Sequence, residues 1–286
     1  KSCMLSVSLT VGLLLVAVLN NSPAQDALSV TIEQKPQHTI YEKEGILYCS
    51  GYTEAAVCNN KGADELAANN VNAAIAIFQE GLTHAPLFYP FLYNIGIAYM
   101  RNRQFDEARV YLEKAKHIVP ENPRIYILIG ELYAFTGREG DALVLFKQAL
   151  NINKKELDAI IKIGTIYIER NQLELALRYF NSALNINPKY PDAGIGFAKV
   201  FFKKGEYYKA LIRLKSIDIT QGNYDKAYHY YYAESSYKLK DYKTAYEQYK
   251  QLLVYKDDVF FLTHSYALIE HRMNLARQFT ELENVK

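Results

Sequence analysis

The chain has 286 residues, half of them hydrophobic, with 33 Lys and Arg against 31 Asp and Glu for a net charge of +2. That apolar content is ample for a packed body, while the interspersed, nearly balanced charge lacks the clustered basic face of a nucleic-acid binder. Lys203-Lys204 and the lysines from Lys238 to Lys243 read as solvated turns or helix ends.

Residues 1–24 read as a secretory signal peptide. Lys1 precedes an apolar run from Leu9 to Leu19, and Ser22-Pro23-Ala24 supplies a small-x-small cleavage site. The run falls short of the ~20 apolar residues of a membrane span. The alternative is an uncleaved anchor starting near Met4, and membrane contact is expected only in that case. Cys3 lies before the run, so a lipid-anchored start is not supported. The expected location is periplasmic or secreted. Residues 25–54, including Ser29-Val30-Thr31-Ile32-Glu33, show no helical period and read as an extended lead-in. Export would allow a disulfide, for which Cys49 and Cys58 are the candidates; the alternative is two buried thiols. Neither has a His or further Cys at ligand spacing, so no metal site is expected.

Residues 55–286 carry a repeat. Gly62, Gly96, Gly130, Gly164 and Ala198 follow one another every 34 positions, as do Ala74, Ala108, Ala142, Ala176 and Ala210. Two ladders with one period signal stacked helix–turn–helix units. In the third unit, Tyr126, Ile129, Gly130 and Tyr133 fall on a first helix, and Ala142, Phe146 and Ala149 on a second. The fourth repeats this with Ile160, Ile163, Gly164 and Tyr167, then Ala176, Phe180, Ala183 and Pro188. Steps of three, four and seven make one apolar stripe per helix. Small ladder residues let helices approach, and large ones fill the space around them. Pro120 and Pro188 end second helices.

This pattern resembles the tetratricopeptide repeat over roughly residues 55–280. Leu92 and Ile160 replace the early aromatic of that motif, and Lys154 replaces a closing proline. The first, fifth and sixth units keep fewer motif positions, as terminal repeats do. The resemblance implies an all-α, right-handed α-solenoid of about six repeats, with a closing helix over residues 259–280. It also implies that the first helix of each repeat lines a concave face, at three before, one after and four after the ladder residue. The partner-binding candidates are then Tyr93, Ile97 and Met100; Ile127 and Glu131; Ile161, Thr165 and Ile168; Ile195, Lys199 and Phe202; and Tyr230, Glu234 and Tyr237. Tyr93, Ile127, Ile161 and Ile195 stand where chaperone-binding members of the family carry a clamp lysine, so that role is not expected. Such a face suits an amphipathic or hydrophobic segment, unless neighbouring helices or the lead-in folding back cover it.

No phosphate loop, nucleophile elbow or zinc-binding His pair is present in the sequence, and no catalytic residue or cofactor is expected. Gly194-Ile195-Gly196 imitates part of a dinucleotide fingerprint but sits on an expected repeat helix. His264 and His271 are expected two turns apart on one helix, too far for a shared metal, and His229 reads as a hydrogen-bonding core residue. The expected function is a non-enzymatic scaffold of the bacterial envelope that holds another envelope protein or peptide segment. Two alternatives are self-association through the C-terminal part and a carbohydrate platform. The second would use the tyrosines from Tyr224 to Tyr249, drawn from 25 in the chain.

Overall fold

The computed structural model describes residues 39–218, 226–256 and 258–283. The expected signal peptide, and the lead-in as far as residue 38, lie outside them. Two compact units divide the chain at Glu121 and Asn122.

Unit 1 begins with a β-hairpin, β1 (Thr39–Lys43) and β2 (Ile46–Ser50). Two helix pairs follow: α1 (Glu54–Ala67) with α2 (Val71–His84), and α3 (Tyr89–Arg101) with α4 (Phe105–Ile118). Unit 2 holds α5 (Pro123–Phe135) with α6 (Glu139–Ile152), α7 (Leu157–Glu169) with α8 (Leu173–Ile186), and α9 (Pro191–Lys203) with α10 (Tyr207–Lys215). It ends with α11 (Lys226–Lys238), α12 (Tyr242–Leu253), a 3-10 turn (Val259–Leu262) and α13 (Tyr266–Glu283). The expected closing helix is therefore α13, which starts later than its sequence pattern suggested. His264 precedes it and does not share a helix with His271.

Within each pair the ladder residue meets the large residue 16 positions on. A Cβ placed at Gly62, Gly130 or Gly164 would stand 2.5–2.6 Å from the ring of Phe78, Phe146 or Phe180. At Gly96 it would stand 2.6 Å from Leu112. No real Cβ approaches that closely, so packing requires glycine at these four rungs of the 34-residue ladder, while the fifth carries Ala198.

The turns between paired helices also repeat. Asn69, Arg103, Gly137, Asn171, Gly205 and Lys240 all take positive φ, the last one residue late. The following amide then reaches back to the helix: Gln104 N–H to Tyr99 O at 2.9 Å, Arg138 to Tyr133 and Gln172 to Tyr167 at 2.8 Å, and Asp241 to Ser236 at 2.9 Å. These are Schellman closures, which satisfy carbonyls left over at a helix end. Starts are set by Pro123 and Pro191 in the first turn, and by the Asn122 side chain accepting from the Arg124 amide at 3.0 Å.

Candidate functional site

The hairpin turns on Glu44 and Gly45, both at positive φ (53° and 80°), the pairing of a two-residue type I′ turn. Its register places Tyr41 opposite Tyr48 and Glu42 opposite Leu47. In such a ladder alternate pairs face inward, so the amides of Leu47 and Cys49 turn away from β1. They turn toward helix A of both repeats of unit 1. Asn94 Oδ1 accepts from Leu47 N–H at 2.9 Å, and Asn94 Nδ2 donates to Leu47 O at 2.8 Å. Asn59 Nδ2 donates to the same carbonyl at 2.8 Å, and Asn94 donates on to Asn59 Oδ1 at 3.1 Å. Asn60 repeats the pattern one strand step later: Cys49 N–H donates to its Oδ1 at 2.8 Å, and its Nδ2 donates to Cys49 O at 2.7 Å. Every outward amide group of the strand interior is thus satisfied by an asparagine. Asn59 and Asn94 are fully buried, which only such complete pairing makes tolerable.

Ile46, Leu47, Tyr48 and Cys49 are buried on both faces of the strand. Ile46 and Tyr48 join the cluster built on Phe78, Phe91 and Ile95. The end of the lead-in therefore packs against the helix-A face expected to receive a partner in unit 1. Tyr93 is wholly buried, and Ile97 packs against the same cluster. Only Ile97 and Met100 among the candidates of unit 1 remain half-exposed.

Cys49 and Cys58 are unbonded buried thiols, so the candidate disulfide is absent. Cys58 Sγ points to Ile77 O on α2 at 3.6 Å, while Cys49 Sγ receives Asn59 Nδ2 at 3.7 Å. The two sulfurs are committed to different neighbours. Burial pushes the Cys49 thiol up to about 11. Because the thiolate is the reactive form, alkylation of Cys49 at pH 8 is expected to be slow in the native chain and rapid after denaturation, read by mass spectrometry. The stabilisation tied to the raised value is complete below an ordinary thiol value and is lost as pH rises through about 11.

In unit 2 the candidate positions separate into two groups. Ile127 (1% exposed), Ile168 (1%), Ile195 (8%) and Glu234 (1%) are core residues, contrary to the expected groove assignment. Ile127 packs with Phe146 and Ile163, Ile168 with Phe180 and Val200, and Ile195 with Leu214 and Tyr231. Ile127 and Ile195, three before their ladder residues, point between helices and are covered by the next helix pair, whereas Ile161 at the same position stays half-exposed. Glu131, Ile161, Thr165, Lys199 and Phe202 stay half-exposed on α5, α7 and α9. Glu131 pairs with Lys162 at 2.6 Å, Thr165 Oγ1 donates to Ile161 O at 3.0 Å, and the Phe202 ring lies 5.4 Å from Tyr231.

The last repeat is covered by the closing segment. Tyr230 lies 4.5 Å from the His264 ring and 5.7 Å from Phe260, and Tyr237 packs on Tyr242 and Tyr249. Glu234 accepts from Tyr249 Oη at 2.7 Å and is gripped by Arg272 of α13. Burial is the main cause that raises the Tyr230 and Tyr249 hydroxyls and lowers His264. Tyr228, Tyr231 and Tyr249 are buried, and Tyr232 and Tyr246 are half-buried, so the described tyrosines of this stretch are packing residues. His229 Nδ1 lies 2.9 Å from Gln248 Oε1. Among the described residues no group of three potential metal ligands occurs, and no helix is long and apolar enough to cross a membrane. Gly196 sits on α9 against the Phe180 ring, which accounts for the Gly-Ile-Gly run by packing.

The tetratricopeptide repeat family matches residues 65–132 in one form of the repeat, and residues 123–156 and 157–190 in another. No curated protein matches the sequence significantly. Among solved structures, PilF of Pseudomonas aeruginosa is similar with a TM-score of 0.59 at 16% identity, over 73% of this chain and 95% of that one. PilW, a type IV pilus biogenesis factor, gives 0.61 at 18% identity, over 72% and 96%. The Cut9–Hcn1 hetero-tetramer of the APC/C gives 0.62 at 18% identity, over 80% of this chain and 44% of that one. At these identities the likeness is one of fold. The repeated ladders, the helix pairs and the matched segments agree: the chain carries tetratricopeptide repeats over residues 65–190.

Proposed function

We propose that the chain is a non-catalytic scaffold that holds a segment of another protein against the half-exposed helix-A face of α5, α7 and α9, in assembly of a bacterial envelope complex. The observation that carries this reading is the contrast along the helix-A rows. In unit 1, β2 bonds to Asn59 and Asn94 and packs beside Ile97, and in the last repeat of unit 2 the closing segment packs on Tyr230. Glu131, Ile161, Thr165, Lys199 and Phe202 keep partial access to solvent. They offer apolar surface flanked by one acid and one base, which suits an amphipathic segment read through spaced anchors. The signal-peptide pattern expected over residues 1–24, and the pilus-biogenesis role of the similar PilW, favour an envelope setting.

The test is photocrosslinking in cells from position 165, with the captured chain identified by mass spectrometry. A single foreign protein whose capture falls at least about tenfold in Phe202→Glu, a loss on the scale of one interface anchor, is the expected result. Self-crosslinks alone would replace this reading with self-association. The exposed Leu268 and Leu282 of α13 are the surface that second reading would use.

A further inference from the structure

Asn59, Asn60 and Asn94 hold β2 chiefly through its backbone, with one longer contact from Asn59 Nδ2 to the Cys49 sulfur at 3.7 Å. Asn94 and Asn59 take both polar groups of the Leu47 peptide, and Asn60 takes both from Cys49. The spacing of two residues is that of a strand edge. None of these bonds depends on which side chains the strand carries. Only the pockets for Ile46, Leu47, Tyr48 and Cys49 do, and they require apolar groups.

The strand is also lightly tethered. It leaves through Gly51 at φ 116°, then Tyr52, which is 99% exposed, to the N-cap Thr53. Its other edge is covered by β1, whose residues are exposed apart from the half-buried Ile40. Lifting the hairpin therefore breaks the contacts of one strand and leaves the helix ladders intact.

We propose that the helix-A face of α1 and α3 is a strand-reading site in which β2 is the resident occupant, exchangeable for an extended segment of another chain. The segment it takes has at least four consecutive apolar residues and one free backbone edge, because that is the chemistry the resident strand displays. This site lies in unit 1 and stands independently of the face proposed in unit 2.

The probe is a fluorescent peptide with the sequence of residues 39–50, titrated into the full chain under reducing conditions. A tethered strand competes at an effective concentration on the order of millimolar, so the native chain is expected to bind the probe weakly. Leu47→Pro removes the N–H that Asn94 accepts and loosens the resident strand. It is expected to bind the peptide at least about tenfold more tightly, a gain set by the lost competitor. Adding Asn94→Ala should abolish that gain.

Equal, weak binding by the native chain and a helical Leu47→Pro variant would overturn the proposal and make the hairpin a fixed cap. A concentration-dependent dimer in light scattering, with no peptide binding, would also overturn it in favour of strand swapping between copies. If Leu47→Pro does not fold, amide exchange in the native chain decides. Exchange at Leu47 and Cys49 that accelerates with added peptide supports the proposal, and exchange indifferent to peptide overturns it.

Discussion

Replacing Phe180 with alanine is expected to destabilise unit 2 by about 3–5 kcal/mol, the range for emptying a buried aromatic site. The Phe180 ring is wholly buried, with Ile168, Phe197 and Val200 in its cluster. It fills the space left by two glycines at once. A Cβ at Gly164 would stand 2.6 Å from it, and one at Gly196 2.5 Å. With the ring gone, both flanks offer only hydrogen where a side chain might relax inward, so the cavity stays open. Urea denaturation followed by circular dichroism should show the loss as a fall in midpoint. Phe180→Leu should cost much less, because Leu112 fills the equivalent place against Gly96. A loss below about 0.5 kcal/mol for Phe180→Ala, the range of an ordinary surface change, would contradict this packing.

Arg272→Met is expected to cost about 3–5 kcal/mol through a different cause: it leaves a buried charge without its partner. Glu234 is 1% exposed and holds Tyr249 Oη and the Arg272 guanidinium together. Methionine keeps much of the side-chain volume and removes the charge, so what is measured is the pairing and less the packing. The double variant Arg272→Met with Glu234→Gln should recover much of the loss, since no uncompensated charge remains. A coupling of at least about 1 kcal/mol in the double-mutant cycle is expected from residues in direct contact. Additive effects would show that α13 is held by its apolar contacts, Ile269 and Ala276, instead of this ion pair.

The sequence makes the helix pairs readable because their packing is local and repeated. Gly130 and Phe146, like Gly164 and Phe180, are 16 residues apart, and one steric rule accounts for the four glycines of the ladder. The slip at the sixth unit reappears as the displaced turn residue Lys240. The candidate site was less legible. A position rule tells which side of a helix a residue faces, but not whether a non-repeating segment covers that side. Leu47 reaches Asn94 across 47 positions with no period to announce it. Two signals were present. Ile46-Leu47-Tyr48-Cys49 is an apolar run after a Glu-Gly turn, which suits a strand buried on both faces. Asn94 lies inside the apolar stretch from Tyr89 to Ala98, where a buried amide needs partners from somewhere. Neither repeats, so neither stands out against ladders that do.

In unit 1, β2 packs on the helix-A face, while the row on α5, α7 and α9 stays partly accessible. Paired photocrosslinking from positions 97 and 165 in the same cells tests this contrast most directly. Position 97 is expected to reach the chain's own residues 39–50, and position 165 to capture a foreign protein. Capture of a foreign protein at 97, together with only self-crosslinks at 165, would contradict it.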